Sequence, residues 1–310
     1  MEQGIILRIE RISPHDGQGL RTVVFFKGCP LRCKWCSTPE SQSLHTEWFY
    51  KQTRCLHCGN CIPACPQSAL SFSADKTVII RDQSKCVNCF KCTSACLPGA
   101  IGAYGRTMTV AEVIGEVQKD SLFYFYSDGG VTLSGGDILF QADYARKILK
   151  ACQEDCINTA AELDMYGSYE NVAKVLEYLD SCFVDIKLMD SPQHKRWVGK
   201  ENTSILENTL RASADFPHLP LFIRVPLIPG INDTLENICQ TAAFCQKLPT
   251  CKSLDFLPYH RLGAASYQSI GRPYEFAGRP SMTDEEAYQR IVFLKNQELP
   301  FIIKISGKTI

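Results

Sequence analysis

Residues 28–40 read Gly-Cys-Pro-Leu-Arg-Cys-Lys-Trp-Cys-Ser-Thr-Pro-Glu and set Cys29, Cys33 and Cys36 in a CxxxCxxC triplet. Three thiolates can hold three irons of a 4Fe–4S cube and leave the fourth without a protein ligand. A cluster that only carries electrons normally has four cysteines. An open iron can instead take a substrate or cofactor, as a catalytic zinc does with three protein ligands. The triplet follows directly on Arg21–Lys27 (RTVVFFK), a Val- and Phe-rich run that reads as a buried strand. It therefore occupies a loop at a strand end, where α/β folds carry function. Trp35 suits both a core position and an apolar cover over the cluster that excludes water.

Downstream of Thr109 helical and strand patterns alternate. Helical periodicity marks residues 109–120, 138–152, 168–180, 203–215, 234–248 and 283–297. Strand-like runs are Val131–Ser134, Asn158–Glu162, Phe183–Lys187, Leu221–Val225 and Ser253–Leu257. With Arg21–Lys27 they make six strands joined by helical crossovers, hence a parallel sheet of right-handed βαβ units. The expected fold class is α/β, a partial (β/α)6 TIM-like barrel. Residues 5–12 suit a short first strand and Phe301–Ile305 an added edge strand.

Between the first two barrel strands the composition changes. Cys55, Cys58, Cys61 and Cys65 repeat as Cys86, Cys89, Cys92 and Cys96, each a CxxCxxCxxxC run. This is the bacterial two-cluster ferredoxin spacing, in which the fourth cysteine of each run serves the other cluster. Cys55, Cys58, Cys61 and Cys96 are thus expected to hold one cluster, and Cys65, Cys86, Cys89 and Cys92 the other. Structural zinc usually shows two CxxC pairs instead. The expected organisation is a barrel from residues 1–50 and 104–310, with a bacterial ferredoxin-like insert at 51–103.

The 310 residues suffice for one large domain or two smaller ones, and a 45% hydrophobic, 21% charged composition is that of a globular chain. Formal net charge is zero, so no global field draws the chain to nucleic acid. No segment has a signal-peptide layout or the length to span a bilayer, so a cytoplasmic protein with neither nucleic-acid nor membrane partner is expected. Seventeen cysteines in such a chain point to metal rather than disulfides. Six of them lie outside the motifs: Cys152, Cys156, Cys182, Cys239, Cys245 and Cys251. These are expected to pack as small hydrophobes, with Cys152 and Cys156 on one helix face.

Polar groups terminate the later strands. Ser134-Gly135-Gly136-Asp137 ends one; the two glycines let backbone approach a ligand, and Asp137 suits a helix N-cap. Glu162 and Asp164 end the next, then Asp185 and Lys187, then Arg224, then His260. Asp164 and Asp185 together can bind a cation. A polar rim on successive strands is the arrangement of a barrel active site.

These residues resemble the radical S-adenosylmethionine (SAM) enzymes, and among them the glycyl-radical enzyme activases with an inserted ferredoxin domain. The likeness runs through His15–Thr22 (HDGQGLRT), the cysteine triplet with Trp35, the eight-cysteine insert, Ser134–Asp137, Asp185–Lys187, Arg224–Pro226, Pro229–Asn232 and Leu257–His260 with Leu262-Gly263. It implies three 4Fe–4S clusters and SAM as cofactors. It implies reductive cleavage of SAM to a 5′-deoxyadenosyl radical that takes hydrogen from a backbone glycine of a large partner. Gly135, Gly136 and Asp137 then meet the SAM amino group. Asp164 and Asp185 lie near its carboxylate and can hold a monovalent cation, and Arg224 and His260 line the pocket. Asp16 and Lys187 face the incoming glycine loop. A low-potential donor such as flavodoxin or ferredoxin supplies the electron. Asp137 stands where the family usually has Glu, Gln18 where it has Pro, Ser266 where many members have Lys, and Ser37-Thr38 where Asn is common.

Two other readings compete. A peptide-modifying radical SAM maturase usually carries its extra cysteines in a C-terminal extension, not between the first two strands. A ferredoxin fused to a barrel without chemistry of its own leaves the triplet no reason to have three cysteines rather than four.

Overall fold

Five of the six residues of β2 (Arg21–Phe26) are buried, because Val and Phe face apolar neighbours on both sides, as in a central parallel strand. A computed structural model, describing residues 2–310, shows this strand inside a ten-stranded sheet. Its strands are β1 (Gln3–Ser13), β2, β7 (Arg106–Thr109), β8 (Gly130–Gly135), β9 (Asn158–Leu163), β10 (Ser181–Asp185), β11 (Leu221–Leu227), β12 (Cys251–Pro258), β13 (Ile302–Ile305) and β14 (Lys308–Thr309). The order is β14-β13-β12-β11-β10-β9-β8-β2-β1-β7. From β2 through β8 to β13 every pairing is parallel; β1, β7 and β14 are antiparallel additions at the edges. The sheet is thus an open barrel of seven parallel strands. The seventh is the C-terminal apolar run, and β14 rather than β13 forms that edge.

Because these strands are parallel, the segments leaving β2, β8, β9, β10, β11 and β12 share one rim. The opposite rim is stapled by Arg21, which is 1% exposed. Its guanidinium donates to Thr132 Oγ1 and the Val131 carbonyl (both 2.6 Å) and to Asn158 Oδ1 (3.0 Å), tying β2 to β8 and β9. Helices Ala142–Glu154, Tyr169–Leu176, Thr203–Asp215, Leu235–Cys245 and Asp284–Ile291 cover the sheet. Thr203–Asp215 matches its periodic pattern and the others are shorter than theirs, since several last turns become turns or 3-10 helix. Helices Ser121–Ser127, Ser191–Val198, Ala264–Ser269 and the short Lys91–Ser94 carry no periodic signal. None of the described helices is long and apolar enough to cross a membrane.

The inserted residues form two small antiparallel pairs. β3 (Glu47–Tyr50) pairs with β6 (Ile101–Tyr104), and β4 (Leu70–Phe72) with β5 (Ile79–Arg81). They enclose their own core of Trp48, Cys61, Leu70, Ile79, Cys92 and Ile101. β3 lies ahead of the expected boundary at residue 51, yet Trp48 packs in this second core. Of the six remaining cysteines, Cys152, Cys182, Cys245 and Cys251 are buried as expected and Cys239 partly so. Cys156 corrects the expectation: the helix ends at Glu154, and Cys156 turns out at φ 56° as an exposed residue.

Candidate active site

The loop after β2 carries the three triplet thiols onto the rim, and backbone contacts with its neighbours hold it there. Gly28 N–H donates to the Ser41 carbonyl at 2.7 Å, and Asp137 N–H donates to the Gly28 carbonyl at 2.8 Å. A Cβ on Gly136 would collide with that same Gly28 oxygen, and one on Gly135 with the backbone of Phe26. Gly135 also has φ 116°, a region where side chains are strained. These two glycines are therefore required by the packing of β8 against the cysteine loop, besides leaving their backbone bare toward the rim.

A cavity of about 220 Å³ opens between them. Cys29, Cys33, Trp35 and Cys36 line one side, and Gly135, Gly136, Asp164, Asp185 and Lys187 line another. Pro226, Ile228, Leu257, Tyr259 and His260 close the far wall. The cavity thus has a charged end and an apolar end. Trp35 is 6% exposed and meets Phe276 edge-on at 6.2 Å, backing the cysteines with apolar packing. Thr38, Ser41 and Gln42 also reach the wall. They carry no spacing by which sequence could have found them.

At the charged end the ammonium of Lys187 is bonded to Asp164 and lies 3.0 Å from Asp185 Oδ2. Burial alone would lower Lys187; Asp164 and Asp185 overcome it and hold the ammonium well above its ordinary range. Asp164 also accepts from the Cys29 thiol at 3.6 Å. Burial, then Asp164 and Asp137, push Cys29 well up. Burial pushes Cys33 up as well, and Cys36 to about 11. As bare thiols these groups resist ionisation, so thiolates here call for a strongly positive partner, as iron provides.

Asp137 is 1% exposed and does not line the cavity. Its Oδ1 caps the following 3-10 turn by accepting from Leu139 N–H at 2.9 Å, while Oδ2 is buried without a partner. Burial and then Asp164 hold this carboxyl well above the usual carboxylate range. Arg224, expected on the pocket wall, is likewise absent from it. It crosses β10 above the Phe183 ring at 4.0 Å and pairs with Glu162, which also accepts from Ser134. An inward-facing carboxylate two strands away captures it, a pairing that strand-end reasoning did not reveal.

In the insert the eight cysteines divide between two further cavities. Cys65, Cys86, Cys89 and Cys92 line one, and Cys55, Cys58, Cys61 and Cys96 the other. Each group takes three thiols from one run and the fourth from the other. Among the described residues no three His, Cys, Asp or Glu side chains converge tightly enough for a single metal ion. The thiols instead surround spaces, the geometry that a multi-iron cube needs.

Family models agree with this layout: a 4Fe-4S dicluster domain matches residues 54–100, and a 4Fe-4S single cluster domain residues 15–73. The chain is 41% identical to the isethionate sulfite-lyase activating enzyme of Nitratidesulfovibrio vulgaris, over 87% of this chain and 88% of that one. It is 36% identical to the choline trimethylamine-lyase activating enzyme of Oleidesulfovibrio alaskensis, over 96% and 97%. It is 39% identical to the (2S)-3-sulfopropanediol sulfolyase activating enzyme of Bilophila wadsworthia, over 96% and 98%. The fold is also that of a radical SAM methyltransferase from Sphaerobacter thermophilus, at TM-score 0.54 and 11% identity over 97% of this chain and 77% of that one.

Proposed function

The chain belongs to the glycyl-radical enzyme activating enzymes of the radical SAM type, and from that premise we propose which of its residues carry the activity. The enzyme activates a partner glycyl-radical enzyme, and iron–sulfur clusters and SAM are its cofactors. When bound, these supply an electron to the sulfonium and a 5′-deoxyadenosyl radical that removes hydrogen from a glycine of the partner.

The observation that carries the assignment is the single cavity shared by three thiols, a bare di-glycine turn and the Asp164–Lys187–Asp185 cluster. Cys29, Cys33 and Cys36 hold the open cluster. The backbone of Gly135 and Gly136 receives the amino group of SAM, whose positive charge would favour ionisation of the buried Asp137 carboxyl behind it, where Oδ2 is unpartnered. Lys187 faces the carboxylate of SAM. Asp164 and Asp185, which pair with Lys187, are the carboxylates that would hold a monovalent cation. The apolar wall with His260 and Trp35 receives the adenosine and keeps water from the radical. Arg224 acts from beneath, through Glu162.

We assign the insert to residues 47–104 and give it two clusters, for three in all. The partition of eight thiols between two cavities supports this. The insert passes electrons inward from a low-potential donor of the flavodoxin or ferredoxin class. The exposure of Cys58, Cys89, Leu56, Val87 and Leu97 around its cavities supports donor approach there.

Anaerobically reconstituted protein, reduced with dithionite, is expected to cleave SAM to 5′-deoxyadenosine. Cys33→Ala is expected to abolish that cleavage, and with it the glycyl-radical doublet in the electron paramagnetic resonance (EPR) spectrum of a co-incubated partner. Cleavage surviving in Cys33→Ala, or no cleavage by a fully iron-loaded wild type, refutes the assignment.

A further inference from the structure

Four buried side-chain polar atoms among the described residues have no hydrogen-bond partner: Glu40 Oε2, Asp137 Oδ2, Trp48 Nε1 and the Tyr50 hydroxyl. The last two are donors, and both sit on β3, two residues apart. Alternation along a strand puts them on one face, and their rings stack with centroids 6.3 Å apart at 25°. That face points into the small core of the insert, and Trp48 is 9% exposed.

What each donor faces is a thiol. Trp48 lines the cavity of Cys65, Cys86, Cys89 and Cys92, and its ring N–H, though it closes no hydrogen bond, offsets part of the rise that burial gives the Cys92 thiol. Tyr50 packs against the same small core as Cys55, a member of the other quartet, and burial and then the neighbouring Cys55 push its hydroxyl up to about 12 without a closed hydrogen bond. One short strand thus presents one donor to each quartet. An indole N–H can only donate, and a buried donor left unmade is costly to the fold. An iron-bound thiolate is an acceptor that can satisfy both atoms. Backbone donors reach both quartets: Ala69 N–H the Cys65 sulfur at 3.3 Å, His57 N–H the Cys55 sulfur at 3.4 Å and Ile101 N–H the Cys96 sulfur at 3.2 Å. Arg81 stands over the Trp48 ring at 4.7 Å and reaches the Cys86 sulfur at 4.0 Å, which adds positive charge to the first quartet.

We propose that Trp48 and Tyr50 are redox-tuning residues, each donating a hydrogen bond to a cysteine ligand of one auxiliary cluster and raising that cluster's reduction potential. Hydrogen bonds to cluster sulfurs and nearby positive charge favour the reduced, more negative state. β3 therefore sets both members of the relay from the neck of the insert. The inference rests on the cluster assignment of the eight thiols made above.

The test is an EPR-monitored redox titration of the full-length, cluster-loaded chain in a Cys33→Ala background, which removes the signal of the open cluster. Trp48→Phe keeps an aromatic ring but loses the donor, and Tyr50→Phe does the same. Trp48→Phe is expected to lower one of the two auxiliary potentials, and Tyr50→Phe the other. Each shift corresponds to about a tenfold change in the reduction equilibrium, or 59 mV for one electron. Phe49→Leu, on the opposite face of β3, is the packing control and should move neither. In deuterium oxide, electron–nuclear double resonance of unsubstituted Trp48 and Tyr50 should show one exchangeable proton coupled to each cluster, and each is lost in its variant. This second readout stands even if a variant folds poorly. Unmoved potentials with intact clusters, or equal shifts of both clusters in either variant, overturn the proposal. A chain that takes up iron only at the triplet overturns the cluster assignment instead.

Discussion

Gly136 and Gly28 are in backbone contact: a Cβ on Gly136 would collide with the Gly28 carbonyl oxygen and come within 2.9 Å of the Ser41 carbonyl oxygen. The Gly28 carbonyl is already engaged by Asp137 N–H. The turn after β8 and the cysteine loop after β2 are therefore one rigid body at the rim, with no flexible side chain between them to absorb a methyl group.

Gly136→Ala should consequently be read first in the cluster and only then in SAM. Overpacking against backbone costs about 1–3 kcal/mol, which lowers Tm by roughly 2–4 °C per kcal/mol for a chain of this size. Displacement of the cysteine loop should lower iron from about twelve to about eight per chain, three cubes becoming two. Iron analysis beside a thermal melt checks this. Retention of all the iron would show that the loop can move without losing its cluster.

Lys187 neutralises two carboxylates at a place where water is scarce; its side chain and that of Asp164 are each 9% exposed. Removing one partner of such a pair leaves an uncompensated buried charge, at a cost of about 3–5 kcal/mol. Lys187→Met should therefore destabilise the chain by about 3 kcal/mol, the low end, since Asp185 still reaches solvent. Adding Asp164→Leu should restore much of the stability while SAM cleavage stays lost. Anaerobic urea denaturation of the two single variants and the double variant measures the coupling. Simple additivity would mean that the pair is not the stabilising unit.

Iron removal should act unevenly. The insert has a core of only six buried side chains, and two of them, Cys61 and Cys92, are thiols facing the cluster cavities. So small a core rarely holds a fold without metal. The barrel core is far larger and continuous from Ile6 to Ile305. Hydrogen exchange of the iron-stripped chain should show protection lost across residues 47–104 and kept in β2 and in β8 to β12. Simultaneous loss in both regions would mean that barrel and insert fold as one cooperative unit.

What was legible in the sequence was whatever chemistry demands at short range. Metal ligands impose fixed local spacing, so the eleven cysteines of the three motifs stood out. Buried parallel strands are apolar on both faces, so their runs stood out too. Pairings settled by distant contacts were not legible. Arg224 ends an apolar strand like its neighbours, and only the fold reveals Glu162 beneath it. Trp48 and Tyr50 looked like the end of the barrel's first segment, because their partner strand lies some fifty residues on. The Ser121–Ser127 helix (SLFYFYS) escaped notice because Leu122, Phe125 and Tyr126 are exposed, which erases the one-sided apolar pattern. Asp137 was seen both as a cap and as a ligand, and the structure gives one oxygen to the cap and leaves the other free.

The neck of the insert has a further consequence. The module leaves the barrel along β3 and returns along β6, with Lys51 N–H closing on the Ala100 carbonyl at 2.7 Å. Its two ends are neighbours, and none of its strands pairs with the barrel sheet. Such a cassette can be gained or lost in a single genetic event without changing the order of one barrel strand. The lineage could thus acquire or shed its 4Fe-4S dicluster domain while the barrel stayed as it was.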